Sequence, residues 1–386
     1  MTSAAQFATR LARLGAVVLV AAGSLIHAQG GHGTPVPLAD VVTEADNNNT
    51  EIAAAVHAWR AAQLQSGADT GAQNAPGIQQ SAGTAQLEAA TQSAQAVTLR
   101  AAIEDRVKTI YLRLAYLYQM YDIDDRAEKD LSALIETQQS RYARGLGSQS
   151  EALQARIERT RIVRKTTLEH EEVGGLQAEL KGLLHREPDS PDVIPEQTVF
   201  THPRESIAQL LAAAARQNPA LLADRAVVEA ESARLDLLKQ GIEPRAAIGF
   251  MLRHTGVDAP DNFILETTAT GSHALLEKER ASEIVESSRS EQSEDRLRQL
   301  AEVERQFTFL TSSEDLMHEA QDGLVPQSKA LYQSELAAYQ TGREPFGAVI
   351  QAFFNELEYE DDELQAILEH ETSLAHLETL TGEKLR

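Results

Sequence analysis

The chain has 386 residues, 42% of them hydrophobic but only 5% aromatic, and 35 basic against 58 acidic side chains for a net charge of −23. That charge repels a phosphate backbone along most of the surface, which excludes nucleic-acid binding. Cysteine is absent, which removes thiolate metal ligands, cysteine nucleophiles, disulfides and a lipidated N-terminal cysteine together. Ala and Leu dominate the apolar share; they favour helix and make narrow interfaces, so long helices packed side by side are expected.

Residues 1–28 read as a secretory signal peptide. Arg10 and Arg13 precede an apolar run, Leu14 to Ile26, that ends in Ile26-His27-Ala28 with a small residue before Gln29. The run is short for a membrane span, although an uncleaved anchor or a buried helix stays open as the alternative. No later stretch approaches the roughly 20 apolar residues of a membrane helix, so any further insertion needs a β-barrel.

An internal repeat follows. Leu38-Ala39, Ala45, Asn49, Ile52, Ala54 and Ala61 match Ile207-Ala208, Ala214, Asn218, Leu221, Ala223 and Ala230 at an offset of 169. Tyr142, Gly145, Leu153, Gln154 and Ala155 match Tyr339, Gly342, Ile350, Gln351 and Ala352 at an offset of 197. The first repeat is 38–187, a Pro-rich linker 188–205 follows, and the second repeat is 206–383. The second carries 28 more residues, located at 245–272, where strand-like composition surrounds a turn at Gly256 to Asp261. The corresponding stretch Gly67 to Thr91 has no aromatic residue and reads as a loop or weak strand pair.

The remainder is helical. Thr91 to about Arg141 carries Leu99, Ile103, Val107, Ile110, Leu114, Leu117 and Tyr121 mostly three or four apart. After the turn Arg144-Gly145-Leu146-Gly147, a helix runs back from Ser148 to Leu184, opened by Ser148 and Glu151 at capping-box spacing. So short a turn forces antiparallel neighbours. The second repeat predicts helices at 206–240, from about 272 to 340, and at 346–380, with Gly323 and Pro326 interrupting the longest. The fold class is therefore mainly α, long antiparallel helical hairpins with a small β portion.

Four segments carry a family resemblance. Leu210 to Lys239, with its Asn218-Pro219 followed by an Ala-rich helix, resembles the opening helix of TolC-like outer-membrane efflux proteins. Tyr142 to Ser148 and Tyr339 to Arg343 resemble that family's two periplasmic tip turns, and Leu324-Val325-Pro326-Gln327 the approach to the second. The resemblance covers about Leu38 to Leu380. It implies a homotrimer in which each protomer gives four strands to a shared outer-membrane β-barrel and its long helices to a periplasmic tunnel. It further implies an inner-membrane pump, a periplasmic adaptor protein that grips the tips, and contact with outer-membrane lipid.

The same resemblance places adaptor contacts at Gly145, Leu146, Ser148, Gly342 and Arg343, and an acidic constriction just past each tip. Here the constriction falls on Glu151 in the first half and on Ala348 and Gln351 in the second, which weakens the ring. Glu151 is equally explained as a helix cap, and the two glycines as helix ends. Strands facing lipid should alternate, which Ala247 to Leu252 and Phe263-Ile264-Leu265 do only in part. A periplasmic helical-hairpin scaffold or adaptor-like protein without a working barrel is therefore the alternative reading.

Enzyme readings find no support. The histidines show no HExxH spacing, and no P-loop, GxSxG or dinucleotide fingerprint is present. No cofactor or metal is implied. The acidic run Glu356 to Glu363 alternates with Leu357, Tyr359 and Leu364 and reads as a solvated helix face. Tyr111, Tyr116, Tyr118 and Tyr121 read as helix packing rather than a ligand shelf.

Overall fold

The computed structural model describes residues 34–71, 78–145, 147–198, 200–239 and 271–385. Its helices are α1 Leu38–Asn48, α2 Thr50–Gly71, α3 Ile78–Ala143 and α4 Gln149–Leu183, then α5 Ile207–Gln217, α6 Pro219–Lys239 and α7 Gly271–Glu319. A π-helical turn, Ala320–Leu324, leads into α8 Val325–Gln340, and α9 Phe346–Thr381 closes the chain. Lengths run in two parallel series: α1 and α5 have 11 residues each, α2 and α6 have 22 and 21, α4 and α9 have 35 and 36.

Most of the expected hairpin at 245–272 and all of the signal segment 1–28 lie outside the described residues; Gly271 and Ser272 open α7. The expected loop or weak strand pair at Gly67 to Thr91 is corrected. Helix α2 continues to Gly71 and α3 begins at Ile78. This stretch is rich in Ala and Gln, strong helix formers, and a few glycines at about 1 kcal/mol each do not outweigh them. Among the described residues the β structure is one isolated parallel bridge, Val36 to Pro195.

The chain divides into two compact units. The smaller comprises Ala55–Ala96 and Ala223–Ser290, and in it α6 meets α7 through Leu235, Leu238, Ala281 and Val285. The larger comprises Thr34–Ala54, Val97–Leu222 and Glu291–Arg386.

In the larger unit α3 is buried at Ile103, Val107, Ile110, Leu114 and Leu117 of its expected stripe and half-buried at Leu99 and Tyr121, but Tyr111, Leu112, Ala115 and Tyr116 are buried as well. Burial on both sides of that stripe means that more than one element covers α3 at this level. Part of the cover is the linker. Tyr111 Oη donates to Val36 O at 2.8 Å and accepts from Glu196 N at 2.9 Å, and Gln177 of α4 brackets Val193 with bonds of 2.6 and 3.0 Å. Farther on, Thr201 N donates to buried Glu371 at 2.9 Å and the Phe200 ring lies 4.2 Å from that of His370. The linker is thus laid against the bundle rather than hanging free.

Ion pairs set the register of the α3–α4 hairpin. Arg106 meets Glu179 at 2.6 Å and Arg113 meets Glu172 at 2.7 Å, so seven residues down one helix match seven up the other. Lys165 with Asp124 and Arg159 with Glu128 continue the ladder. A seven-residue step is the repeat of two helices that wrap around each other.

The expected interruption before α8 takes the form of the π turn, in which Val325 N donates to Ala320 O, five residues back. Pro326 stands at the start of α8, where its missing N–H deprives the preceding turn of a normal helical bond.

Candidate functional site

Two helix turns form the site. The first joins α3 to α4 and contains Gly145 at φ 71°; the second joins α8 to α9 and contains Gly342 at φ 73°. Both values lie in the left-handed region, which glycine alone enters without a steric cost. In the second turn Gly342 N donates to Tyr339 O and Arg343 N to Ala338 O, each at 2.9 Å. That pair of bonds is a complete Schellman ending, and it satisfies carbonyls the helix would otherwise leave open. In the first turn Gly145 N donates to Tyr142 O at 2.9 Å.

The turns lie together. Arg141 Nη1 at the end of α3 donates to Tyr339 O at 3.2 Å, and its guanidinium sits 4.4 Å from the centre of the Tyr339 ring. The Tyr339 hydroxyl donates to Gln138 Oε1 at 2.6 Å and is 3.5 Å from Glu151 Oε2. Beneath them Leu131, Leu134, Ile135, Ala155 and Ile162 pack on Tyr339, Phe346, Val349, Ile350 and Phe353. Burial raises the pKa of Tyr339, which keeps its hydroxyl a donor.

Of the expected contact residues, Gly145, Ser148, Gly342 and Arg343 are all exposed on this end, and an added Cβ at either left-handed glycine would meet nothing within 4 Å. Leu146 lies outside the described residues. Ser148 and Glu151 form the expected capping box, each accepting from the other's backbone N–H at 3.3 Å. Gln351 is exposed on α9 and donates to Asn355 at 2.8 Å.

Sequence reasoning missed Arg141, Gln138 and the internal role of Tyr339. The repeat paired Tyr142 with Tyr339, yet Tyr142 is 54% exposed and Tyr339 only 2%. Equivalent positions in the two halves therefore face opposite environments, and an arginine placed one residue before the exposed tyrosine was the available signal.

The acidic run on α9 is more than a solvated face. Glu360 pairs with Arg126 at 2.5 Å, Asp361 accepts from the Tyr116 hydroxyl at 2.6 Å, and Glu363 accepts from Gln321 at 2.9 Å. Tyr118 and Tyr121 meet edge to face within α3 at 5.8 Å, while across to α4 the Tyr118 hydroxyl accepts from Gln177 at 3.5 Å and the Tyr121 ring stacks on His170 at 4.4 Å, so the tyrosine group packs helices and hydrogen-bonds across them. Among the described residues no group of His, Asp and Glu could hold a metal, and no helix is long and apolar enough to cross a membrane.

No protein-family model and no curated protein matches this sequence. Solved structures do match. The outer-membrane channel OprN gives a TM-score of 0.73 at 14% identity, over 89% of this chain and 89% of that one. The outer membrane protein VceC of Vibrio cholerae gives 0.71 at 14% identity, over 90% of this chain and 97% of that one. The CmeC outer membrane channel of Campylobacter jejuni gives 0.71 at 12% identity, over 90% and 86%. Spaced helix pairs, paired turns and near-complete coverage together mean that this chain has the fold of those outer-membrane channels.

Proposed function

We propose that this chain is a subunit of an outer-membrane channel in a tripartite efflux or secretion system, a passive conduit for small molecules, metal ions or polypeptides. The observation that carries the reading is the fold, shared with OprN over 89% of this chain and with VceC over 90%, with two exposed turns brought to one end of the larger unit. The subunit would act as a homotrimer held in outer-membrane lipid and reaching into the periplasm, fed by an inner-membrane pump through an adaptor. The organisation proposed is two repeats, 38–187 and 206–383, joined by the linker 188–205, a reading supported by the parallel helix lengths.

In this reading Gly145, Leu146, Ser148, Gly342 and Arg343 receive the adaptor, and Glu151 and Gln351 narrow the tunnel. One observation favours the alternative of a periplasmic scaffold. Only residues 72–77 separate α2 from α3, whereas a barrel strand takes about 9–11 residues. Among the described residues the first half thus leaves no room for its strand pair.

The test is a double variant, Gly145→Val with Gly342→Val. A β-branched residue strains each left-handed turn by roughly 1–2 kcal/mol and puts bulk where backbone is now exposed, while the helices keep their packing. The variant is expected to reach the envelope and assemble, yet to lose export in an accumulation assay with its cognate pump. Normal export would remove the turns from the docking surface.

A further inference from the structure

The α3–α4 hairpin holds a buried pair of carboxylates that a passive conduit does not call for. Asp124 of α3 has 3% of its side chain exposed and Glu169 of α4 has 12%. One cation serves both: Lys165 Nζ lies 3.0 Å from Asp124 Oδ1 and 3.2 Å from Glu169 Oε1. Thr166 Oγ1 donates to Asp124 Oδ2 at 3.4 Å. Glu169 Oε2 is buried with no hydrogen-bond partner among the described residues.

Among the described residues, Lys165 is the one cation that pairs with either carboxylate. On the α3 side stands the Tyr121 ring, stacked at 4.4 Å on His170 of α4, whose Nδ1 lies 2.8 Å from Thr166 O. Farther along, Glu172 is already paired with Arg113, and Glu128 with Arg159. Two ionised carboxylates and one ammonium would leave an uncompensated negative charge out of water, which is costly. A proton on Glu169 removes that charge and turns the orphan oxygen into a donor.

We propose that the hairpin holds one proton between Asp124 and Glu169, and that releasing it to solvent loosens α3 from α4 at this level. Burial first, then the charge of Asp124, pushes Glu169 up to about 7, with Lys165 opposing. The folded chain then keeps a proton that the unfolded chain, with an ordinary carboxyl near 4.5, has lost. Stabilisation from this group is complete below the unfolded value and is lost as pH rises through the folded one. Asp46 and Glu104 share Arg100 in the same manner, with Glu104 raised by burial and by Asp46. The two carboxylates with one cation are thus a recurring arrangement in this acidic chain.

The inference does not rest on the channel reading, because it concerns the hairpin of the isolated chain. Its test is hydrogen exchange on the full purified protein, corrected for intrinsic rates, from about pH 5.5 to about pH 8.5. Protection of α4 amides flanking Lys165 and Glu169 is expected to fall with rising pH, by at most about tenfold per unit. Glu169→Gln, and independently Asp124→Asn, should each flatten that dependence, while His170→Gln should leave it as in the wild type. Protection that is constant in the wild type, a dependence that survives Glu169→Gln, or one abolished by His170→Gln would overturn the proposal.

Discussion

Asn49 and Asn218 each occupy the single residue between an 11-residue helix and the next helix. Both are buried, and the Oδ1 of each accepts from a backbone N–H three residues on, Ile52 at 3.2 Å and Leu221 at 3.1 Å. Each asparagine is therefore the cap that lets the chain bend and resume. The repeat offset pairs the two residues in the sequence, but their work is legible only once the break between helices is seen. Asn49→Ala or Asn218→Ala is expected to cost about 1–2 kcal/mol, read as a lowered urea midpoint with an unchanged slope. A second residue-scale expectation concerns His376, whose Nδ1 lies 2.8 Å from Asp105 Oδ1. The bond to Asp105 raises the His376 pKa, with burial opposing. The folded chain then binds this proton more tightly than the unfolded one, so the contribution is complete below the ordinary value of 6.5 and is lost as pH rises through the folded value. Thermal melts of His376→Gln should therefore match the wild type at alkaline pH and fall below it at acid pH.

At the scale of elements, the helices were legible because their apolar residues recur three and four apart, and α4 because Ser148 and Glu151 announce its start. The stretch before Thr91 was not, since its small and polar residues have no periodicity to read and only their helix propensity favours a helix. Burial of both faces of α3 near Tyr111 was also beyond reach, because the cover comes from a linker whose four prolines suggested only a tether. The cluster beneath the two turns is the element-scale feature that holds them together. Leu131 is 0% exposed in it, so Leu131→Ala should cost about 2–5 kcal/mol by lost transfer energy and the cavity left behind. The accompanying sign is local: amides of α8 next to Tyr339 should exchange faster than those of α5, which belongs to a different buried cluster around Leu210, Leu310 and Leu374.

For the molecule as a whole, the two-turn site could be foreseen in outline. The glycines sit where the repeat put them and the cap where its spacing put it, while the Arg141, Tyr339 and Gln138 contacts that join the turns depend on which face of each helix meets the other. Those faces are set by long-range packing that one sequence does not display. The proposed role, an assembled subunit of the outer membrane, is tested by cell fractionation followed by native mass measurement of the detergent-extracted protein. Recovery from the outer-membrane fraction as a trimer is the expected result; recovery as a soluble monomer of the periplasm would contradict the channel and leave the scaffold reading in its place.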